Sequence, residues 1–332
     1  MHLAITGGSG HLGTVLLPLL LGQGHRLRLL VHQRTDGLAQ EGVEHVQGDL
    51  LDAGAVDRLV AGCDAVLHLA ARISIDSAND PLVRRVNVDG TRHLVEAAVR
   101  HRVRRMVHLS SIHSYDSRPL HLPLNETRGP ARADAAVYDR SKAEADTVVQ
   151  QAIAGHGLSA LILAPTSVIG PPDPRPSLMG RAIADLHDGR VPLLPPGGFN
   201  FVDVRDVAAV VATAVTANPA GTKYLLSGRY LSLRALAETI GRLTGRRSAP
   251  RTAPPWLLRG LVPLFGLQAR LTGRPPLMTR EALNTLLEGH TDIRSDRARA
   301  ELGFRPRPIE DTLADTLDWM RGAGMLRRTG QR

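Results

Sequence analysis

Two of the chain's 41 basic residues are lysines, Lys142 and Lys223, and the rest are arginines. Lys142 follows Tyr138 by four residues. That is about one helical turn, so the segment Tyr138-Asp139-Arg140-Ser141-Lys142 is expected to carry phenol and ammonium on one helix face. A phenol has an unperturbed pKa of about 10, and a cation within roughly 4–6 Å lowers a neighbouring acid by about 1–3 units. The pair is therefore expected to do general acid–base work, with the ammonium making the phenol more acidic. Arginine would supply charge but not a compact, rotatable donor for a hydroxyl group of a bound molecule. A lysine kept in so arginine-biased a chain points to that geometry. The same spacing also arises by chance on an exposed helix, so the pair needs support elsewhere.

Support begins at the first residues. His2 to Thr6 reads as a short buried strand, and Thr6-Gly7-Gly8-Ser9-Gly10-His11-Leu12-Gly13 follows directly, opening the apolar helical run Val15, Leu16, Leu19, Leu20. In this G-x-x-G-x-x-G turn, Gly7 lets the chain leave the strand sharply, Gly10 lets the backbone approach a pyrophosphate, and Gly13 lets the helix pack closely. The helix N-terminus presents free N–H groups to the phosphates. A glycine turn placed between strand and helix predicts dinucleotide binding over a plain tight turn. Strand and helix then alternate to about residue 165, and apolar runs such as Arg104–Leu109 and Leu158–Leu163 fit an α/β chain whose parallel sheet is buried on both faces.

With these features the chain resembles the extended short-chain dehydrogenase/reductase family, part of the NAD-dependent epimerase/dehydratase superfamily, over nearly its whole length. Further matches fall in family order: Gly48-Asp49-Leu50, Asp64-Ala65-Val66-Leu67-His68-Leu69-Ala70-Ala71, Asn87-Val88-Asp89-Gly90-Thr91, and Val107-His108-Leu109-Ser110-Ser111 before Tyr138 and Lys142. The resemblance implies a Rossmann-type doubly wound parallel sheet in residues 1–165, revisited at about 200–228. A smaller, mostly helical substrate lobe would take residues 166–199 and 229–332. It implies Ser111, Tyr138 and Lys142 as a catalytic triad, Ser111 being the second serine of its pair and four residues before Tyr115. Ser114 is the weaker alternative, and His68 and His113 read as spacers, not bases.

For the cofactor, the resemblance places Gly7, Gly10, His11, Leu12 and Gly13 at the pyrophosphate, with Asp49 and Leu50 at the adenine. Leu69, Ala70 and Ala71 would run along it, and Asn87, Tyr138, Lys142, Pro165 and Val168 would meet its nicotinamide end. The choice of cofactor turns on Leu27-Arg28-Leu29-Leu30-Val31-His32-Gln33-Arg34. An NAD-preferring enzyme usually ends this strand with a carboxylate that binds the ribose hydroxyls and repels a 2′-phosphate. Val31 takes that place, and His32 and Arg34 can meet a phosphate, so NADP is expected over NAD. No histidine pair or cysteine pair has metal-site spacing, and no metal is expected.

Composition narrows the class. At 332 residues and 43% hydrophobic, the chain can bury a substantial core in two lobes. The single Cys63 excludes an internal disulfide framework, and a core strand in residues 1–6 leaves no room for a signal peptide, which together suggest a cytoplasmic enzyme. The Leu12–Leu21 run is too short to span a bilayer. A net charge of +9 invites a nucleic-acid partner, but 3% aromatic residues and arginines scattered over many elements argue against one. Pro165, Pro171, Pro172, Pro174 and Pro176 read as a stiff crossing between lobes, and Gly170-Pro171-Pro172-Asp173 resembles the family's loop at the rim of the substrate cleft. The apolar stretch 254–276 is open between a lid helix, an apolar substrate wall and a peripheral membrane contact. The family also implies a homodimer through helices around Asn87–Ala98 and Tyr138–Gln151.

Three functions remain open. The leading one is an NADP-dependent reductase or dehydrogenase acting on a carbonyl or secondary alcohol of a small organic substrate, resembling the dihydroflavonol-reductase-like branch. The second is a sugar epimerase or dehydratase with retained cofactor. Against it, Phe199 stands where nucleotide-sugar enzymes of the family often place an arginine on the diphosphate, although Arg181 or Arg205 could compensate. The third is a cofactor-binding regulator without catalysis, which would have no need of an intact serine, tyrosine and lysine set.

Overall fold

Seven short runs, most of them apolar and each too short for a stable helix, form one parallel sheet. In the computed structural model, which describes residues 1–32, 40–73, 80–245, 250–260, 262, 283, 286–287 and 289–327, these are β1 (His2–Thr6), β2 (Arg26–Val31), β3 (Val43–Gln47), β4 (Ala65–His68), β5 (Arg105–Leu109), β6 (Ala160–Pro165) and, later in the chain, β10 (Lys223–Leu226). Their order is β10-β6-β5-β4-β1-β2-β3. The order reverses between β1 and β4, and in such doubly wound sheets the ligand crevice opens at that point, beyond the strand C-termini.

Both faces are covered, which explains the continuous apolar strands. Alternate residues of β1 show the division: Leu3 and Ile5 pack with Leu16 and Leu20 of α1 (His11–Gly22) and Val207 and Val211 of α7 (Val204–Ala214). Ala4 faces the other way, toward α2 (Ala53–Val60), α4 (Gly90–Arg100) and α5 (Val137–His156), where Leu59, Leu94 and Val149 complete a second cluster. A short helix α3 (Pro81–Arg84) runs into α4 through a π-helical turn, Arg85–Asp89, which holds Asn87.

The second lobe contains α6 (Leu178–His187), α8 (Leu233–Thr244) and α10 (Ile309–Gly322), with α9 (Asp296–Leu302) preceding α10 in the chain. A sheet of order β11-β9-β7 is formed by β7 (Ser167–Ile169), β9 (Gly198–Asp203) and β11 (Arg229–Ser232), and β8 (Leu193–Leu194) pairs with β12 (Arg251–Thr252). Its core joins Ile169, Ile183, Phe201, Leu236, Ile240, Leu313 and Leu317.

Two elements stand where the lobes meet. The Phe201–Asp203 strand does not rejoin the large sheet; its Phe201 side chain is buried in the second-lobe core, so β9 stays between β7 and β11. Asp203 then caps α7 by accepting a hydrogen bond from Arg205 N, and it is α7 that returns to pack on α1. Conversely, α9, expected in the substrate lobe, packs on the large sheet through Ala298 and Leu302, and the Tyr224 hydroxyl of β10 donates to Glu301 at 2.6 Å.

Candidate active site

The turn after β1 is built by close approach. Gly7 has φ +74°, and a Cβ there would lie 2.6 Å from Ala70 N, so the loop can rest on the Leu69-Ala70-Ala71 turn only with glycine in place. A Cβ on Gly13 would fall 2.2 Å from Gly8 O, where the first turn of α1 touches the loop. Gly10 is the N-cap of α1, without a side-chain cap, and the first turn carries no acidic residue. The exposed N–H groups and the positive end of the helix dipole therefore suit a pyrophosphate. The Leu12 side chain is buried in the core, so its offer to a ligand is its backbone N–H. Two contacts tie the proline-rich loop of the second lobe to this turn: His11 Nε2 lies 2.8 Å from Gly170 O, and Arg175 Nη2 donates to Ser9 O at 2.7 Å. Arg175 was not singled out from the sequence; its position across the cleft depends on lobe packing that no local pattern encodes.

At the end of β2, Val31 is buried, and His32 Nε2 lies 3.2 Å from Asp49 Oδ2. Asp49 Oδ1 accepts from Leu51 N at 2.8 Å, and the carbonyl of buried Leu50 is 3.0 Å from His93 Nδ1. Arg34 lies outside the described residues, as does most of the 254–276 stretch, in which Trp256 is exposed and Leu258 is buried with Ala253 and Leu283. Pro165 closes β6 in a buried position, and Val168 of β7 packs on the large-sheet core.

Ser111, Tyr138 and Lys142 come together beyond the end of β5. Ser111 is the N-cap of a 3-10 turn, Ile112–Ser114, its Oγ accepting from His113 N at 3.2 Å. Tyr138 stands in the first turn of α5, half-buried, and Lys142 is buried one turn on, its Nζ donating to Leu109 O at 2.8 Å. Burial pushes the Tyr138 phenol up to about 12; a hydrogen bond with Ser111 opposes the rise, and the Asp139 and Asp146 carboxylates add to it. Burial likewise pulls Lys142 down to about 8, against Asp146 and with Lys223. The expectation of a more acidic phenol is thus corrected: the shared helix face exists, but the ammonium is engaged by a carbonyl while carboxylates and desolvation act on the phenol. With its pKa raised, Tyr138 keeps its proton at neutral pH.

The other serines have different settings. Ser110 Oγ is buried without a hydrogen-bond partner, and Ser114 Oγ accepts from Lys223 Nζ at 3.1 Å. His113 stands edge-on to Tyr138, ring centroids 5.6 Å apart, with Nδ1 3.0 Å from Asp139 Oδ1. Burial lowers its pKa, but the Asp139 hydrogen bond and charge outweigh it and the net shift is upward.

Asn87, on the π-helical turn, is buried and fully engaged: its Oδ1 accepts from Arg72 N at 2.8 Å, and Nδ2 donates to Arg72 O and Ser141 Oγ at 3.0 and 2.9 Å. It braces the chain after Ala71 against α5. His68 bridges Thr6 Oγ1 and Thr91 Oγ1 at 2.7 and 2.9 Å, and burial, with His108 and Lys142 nearby, holds its pKa well below the usual range, so it is a neutral brace. The sequence also left Asp146 and Lys223 unremarked as site residues. Their signal was present: Asp146 is one turn after Lys142, and Lys223 is the other lysine.

Phe199 lies on β9 with its ring edge-on to Phe201, centroids 6.1 Å apart. The Arg205 guanidinium is held by Asp203, at 2.9 and 2.7 Å, and by Asp315 at 2.7 Å, while Arg181 is exposed on α6. Among the described residues, no group of three or more His, Cys, Asp or Glu side chains is placed to hold a metal ion, and no helix is long and apolar enough to cross a membrane.

Comparison with known proteins gives the family. The NAD dependent epimerase/dehydratase family matches residues 3–227. Sterol demethylase protein B of Methylococcus capsulatus is 33% identical over 98% of this chain and 100% of its own. A putative dihydroflavonol 4-reductase of Synechocystis is 29% identical over 97% of this chain and 95% of its own. The crystal structure of gox2253 covers 98% of this chain and 99% of its own, with a TM-score of 0.83 and 30% identity.

Proposed function

The chain belongs to the NAD-dependent epimerase/dehydratase family, and we propose that within it the protein is an NADP-dependent oxidoreductase that interconverts a ring ketone and a secondary alcohol of an apolar substrate. The observation that carries the reading is the Tyr138 phenol hydrogen-bonded with Ser111 and one helical turn from Lys142, at the ligand-binding end of the sheet. The bound nicotinamide supplies or takes up the hydride. Tyr138 gives its proton to the carbonyl oxygen as that oxygen becomes a hydroxyl, and Ser111 shares a hydrogen bond with the same oxygen. Lys142 holds the nicotinamide ribose, and the glycine turn with the α1 N-terminus holds the pyrophosphate.

Relatives named for a sterol and a dihydroflavonol favour an apolar ring substrate. The epimerase alternative is disfavoured by Phe199 and by Arg205, whose guanidinium is already taken by two carboxylates. Ser111→Ala is expected to lower turnover by about 10²–10³-fold while leaving cofactor affinity nearly unchanged, because the lost hydrogen bond matters most in the transition state. Steady-state kinetics checks it; a loss confined to cofactor binding would count against the role.

NADP rests on the absence of a carboxylate in Val31-His32-Gln33-Arg34. Turnover with NADP(H) is expected to exceed that with NAD(H), and Arg34→Ala to narrow the difference. NAD-preferring kinetics unchanged by the substitution would reject this part of the reading. A cytoplasmic location, suggested by the single buried Cys63, and a homodimer through α4 and α5 complete the proposal.

A further inference from the structure

The fold brings Lys223 to the carboxylate of Asp146, which stands one helical turn after Lys142 on α5. Asp146, 2% exposed, has oxygens 2.8 Å from Lys223 Nζ and 3.3 Å from His108 Nε2. A helical spacing of four residues ordinarily favours pairing of Asp146 with Lys142. Yet among the described residues Asp146 is ion-paired to Lys223 and not to Lys142. Lys223 is further fixed by Ser114 Oγ at 3.1 Å and by the Tyr115 ring, whose centroid is 3.8 Å from Nζ.

Strand register produces the arrangement. Lys223 is opposite Ile162, Ile162 opposite His108, His108 opposite His68, and His68 opposite Thr6. These residues make one row across the parallel sheet on the face covered by α4 and α5, and all but Ile162 are polar. A buried ion pair is often no more stabilising than apolar residues of similar volume, so packing alone does not account for Lys223 and Asp146.

We propose that Lys223 is a positioning residue for the active site: it pins the Asp146 carboxylate against His108, away from Lys142, and so leaves the Lys142 ammonium directed at the end of β5 and the cofactor cleft. The inference rests on the reading of Lys142 as the ribose-binding ammonium. The titratable groups whose charges couple to Lys142 are Asp146 on its own helix, where Tyr138 stands one turn before it, His68 on β4, His108 on β5 and Lys223 on β10. Two of them act in opposite directions on its proton affinity, Asp146 upward and Lys223 downward.

Because the chain has two lysines, biosynthetic ¹³C-lysine labelling gives two side-chain NMR signals, assigned with Lys223→Arg. The Lys142 signal is expected to titrate near pH 8 in the wild type. In Lys223→Met, the released carboxylate turns to Lys142, and the midpoint is expected to rise by about one unit or more. The same substitution made on Asp146→Asn is expected to move it much less, and Lys223→Arg to keep it near the wild-type value. No shift in Lys223→Met, or an equal shift in both backgrounds, would overturn the proposal, since Lys223 would then not act through Asp146. Should Lys223→Met not fold, Asp146→Asn is compared with the charge-free double variant; a shift of about a unit between them would reject the positioning role. The catalytic reading is tested separately, by NADP affinity of Lys142→Met. Unchanged affinity there would remove the ribose role while leaving the NMR result standing.

Discussion

Tyr138→Phe is expected to bind NADP as the wild type does and to lose turnover by about 10²–10⁴-fold, the usual contribution of a positioned general acid. The ring stays, so the half-buried packing at the start of α5 and the edge contact with His113 survive; what disappears is the proton. Because burial holds the phenol near 12, the wild-type donor is in its protonated form throughout the neutral range. His113 does not replace it: its Nδ1 is turned to Asp139. Cofactor titration and single-turnover kinetics separate the two effects. Joint loss of binding and turnover would mean that the substitution disturbed the fold of the site instead.

Lys142→Arg is expected to weaken NADP binding by about 10–100-fold, the loss of one charge-assisted hydrogen bond, and to recover little activity. A planar guanidinium does not fit a position that is 2% exposed and donates to Leu109 O. The pH dependence sharpens the result. Lys142 has a lowered pKa of about 8, so its ammonium is present below that pH and lost as pH rises through it. Wild-type affinity should therefore be level on the acid side and decline above about pH 8, whereas Lys142→Arg should show no such decline, since a guanidinium stays charged. Calorimetric titration across this range checks both; parallel pH profiles would show that the declining group is not Lys142.

Much of this site was legible in local pattern. The glycine turn between β1 and α1 is a continuous segment whose steric demands are written in Gly7 and Gly13, and the spacing of Tyr138 and Lys142 fixes their common helix face. What stayed hidden depends on partners far apart in the chain. Lys223 meets Asp146 only through the register of β10, β6 and β5, and Asn87 is occupied by Arg72 and Ser141 because a π-helical turn aims it there. The direction of the Tyr138 shift was misjudged for the same reason. Helical spacing gives proximity to a cation, but desolvation and the carboxylates of Asp139 and Asp146 are set by tertiary packing. Nor does local pattern say which sheet β9 joins: Phe201 is buried in the second-lobe core and Val202 in the large-sheet core, and only the assembled lobes decide its pairing.

The central claim, net hydride transfer assisted by Tyr138, is tested most directly by isotope transfer. Reduced NADP carrying deuterium at both nicotinamide C4 positions is incubated with a panel of apolar ring ketones, oxidised NADP or NAD is incubated separately with nucleotide sugars, and products are analysed by mass spectrometry. The expected result is one cofactor deuterium in each alcohol formed by the wild type, one cofactor oxidised per product, and almost none from Tyr138→Phe. An isomerised or dehydrated nucleotide sugar with the oxidised cofactor unchanged at the end, or equal deuterium transfer by Tyr138→Phe, would contradict the account.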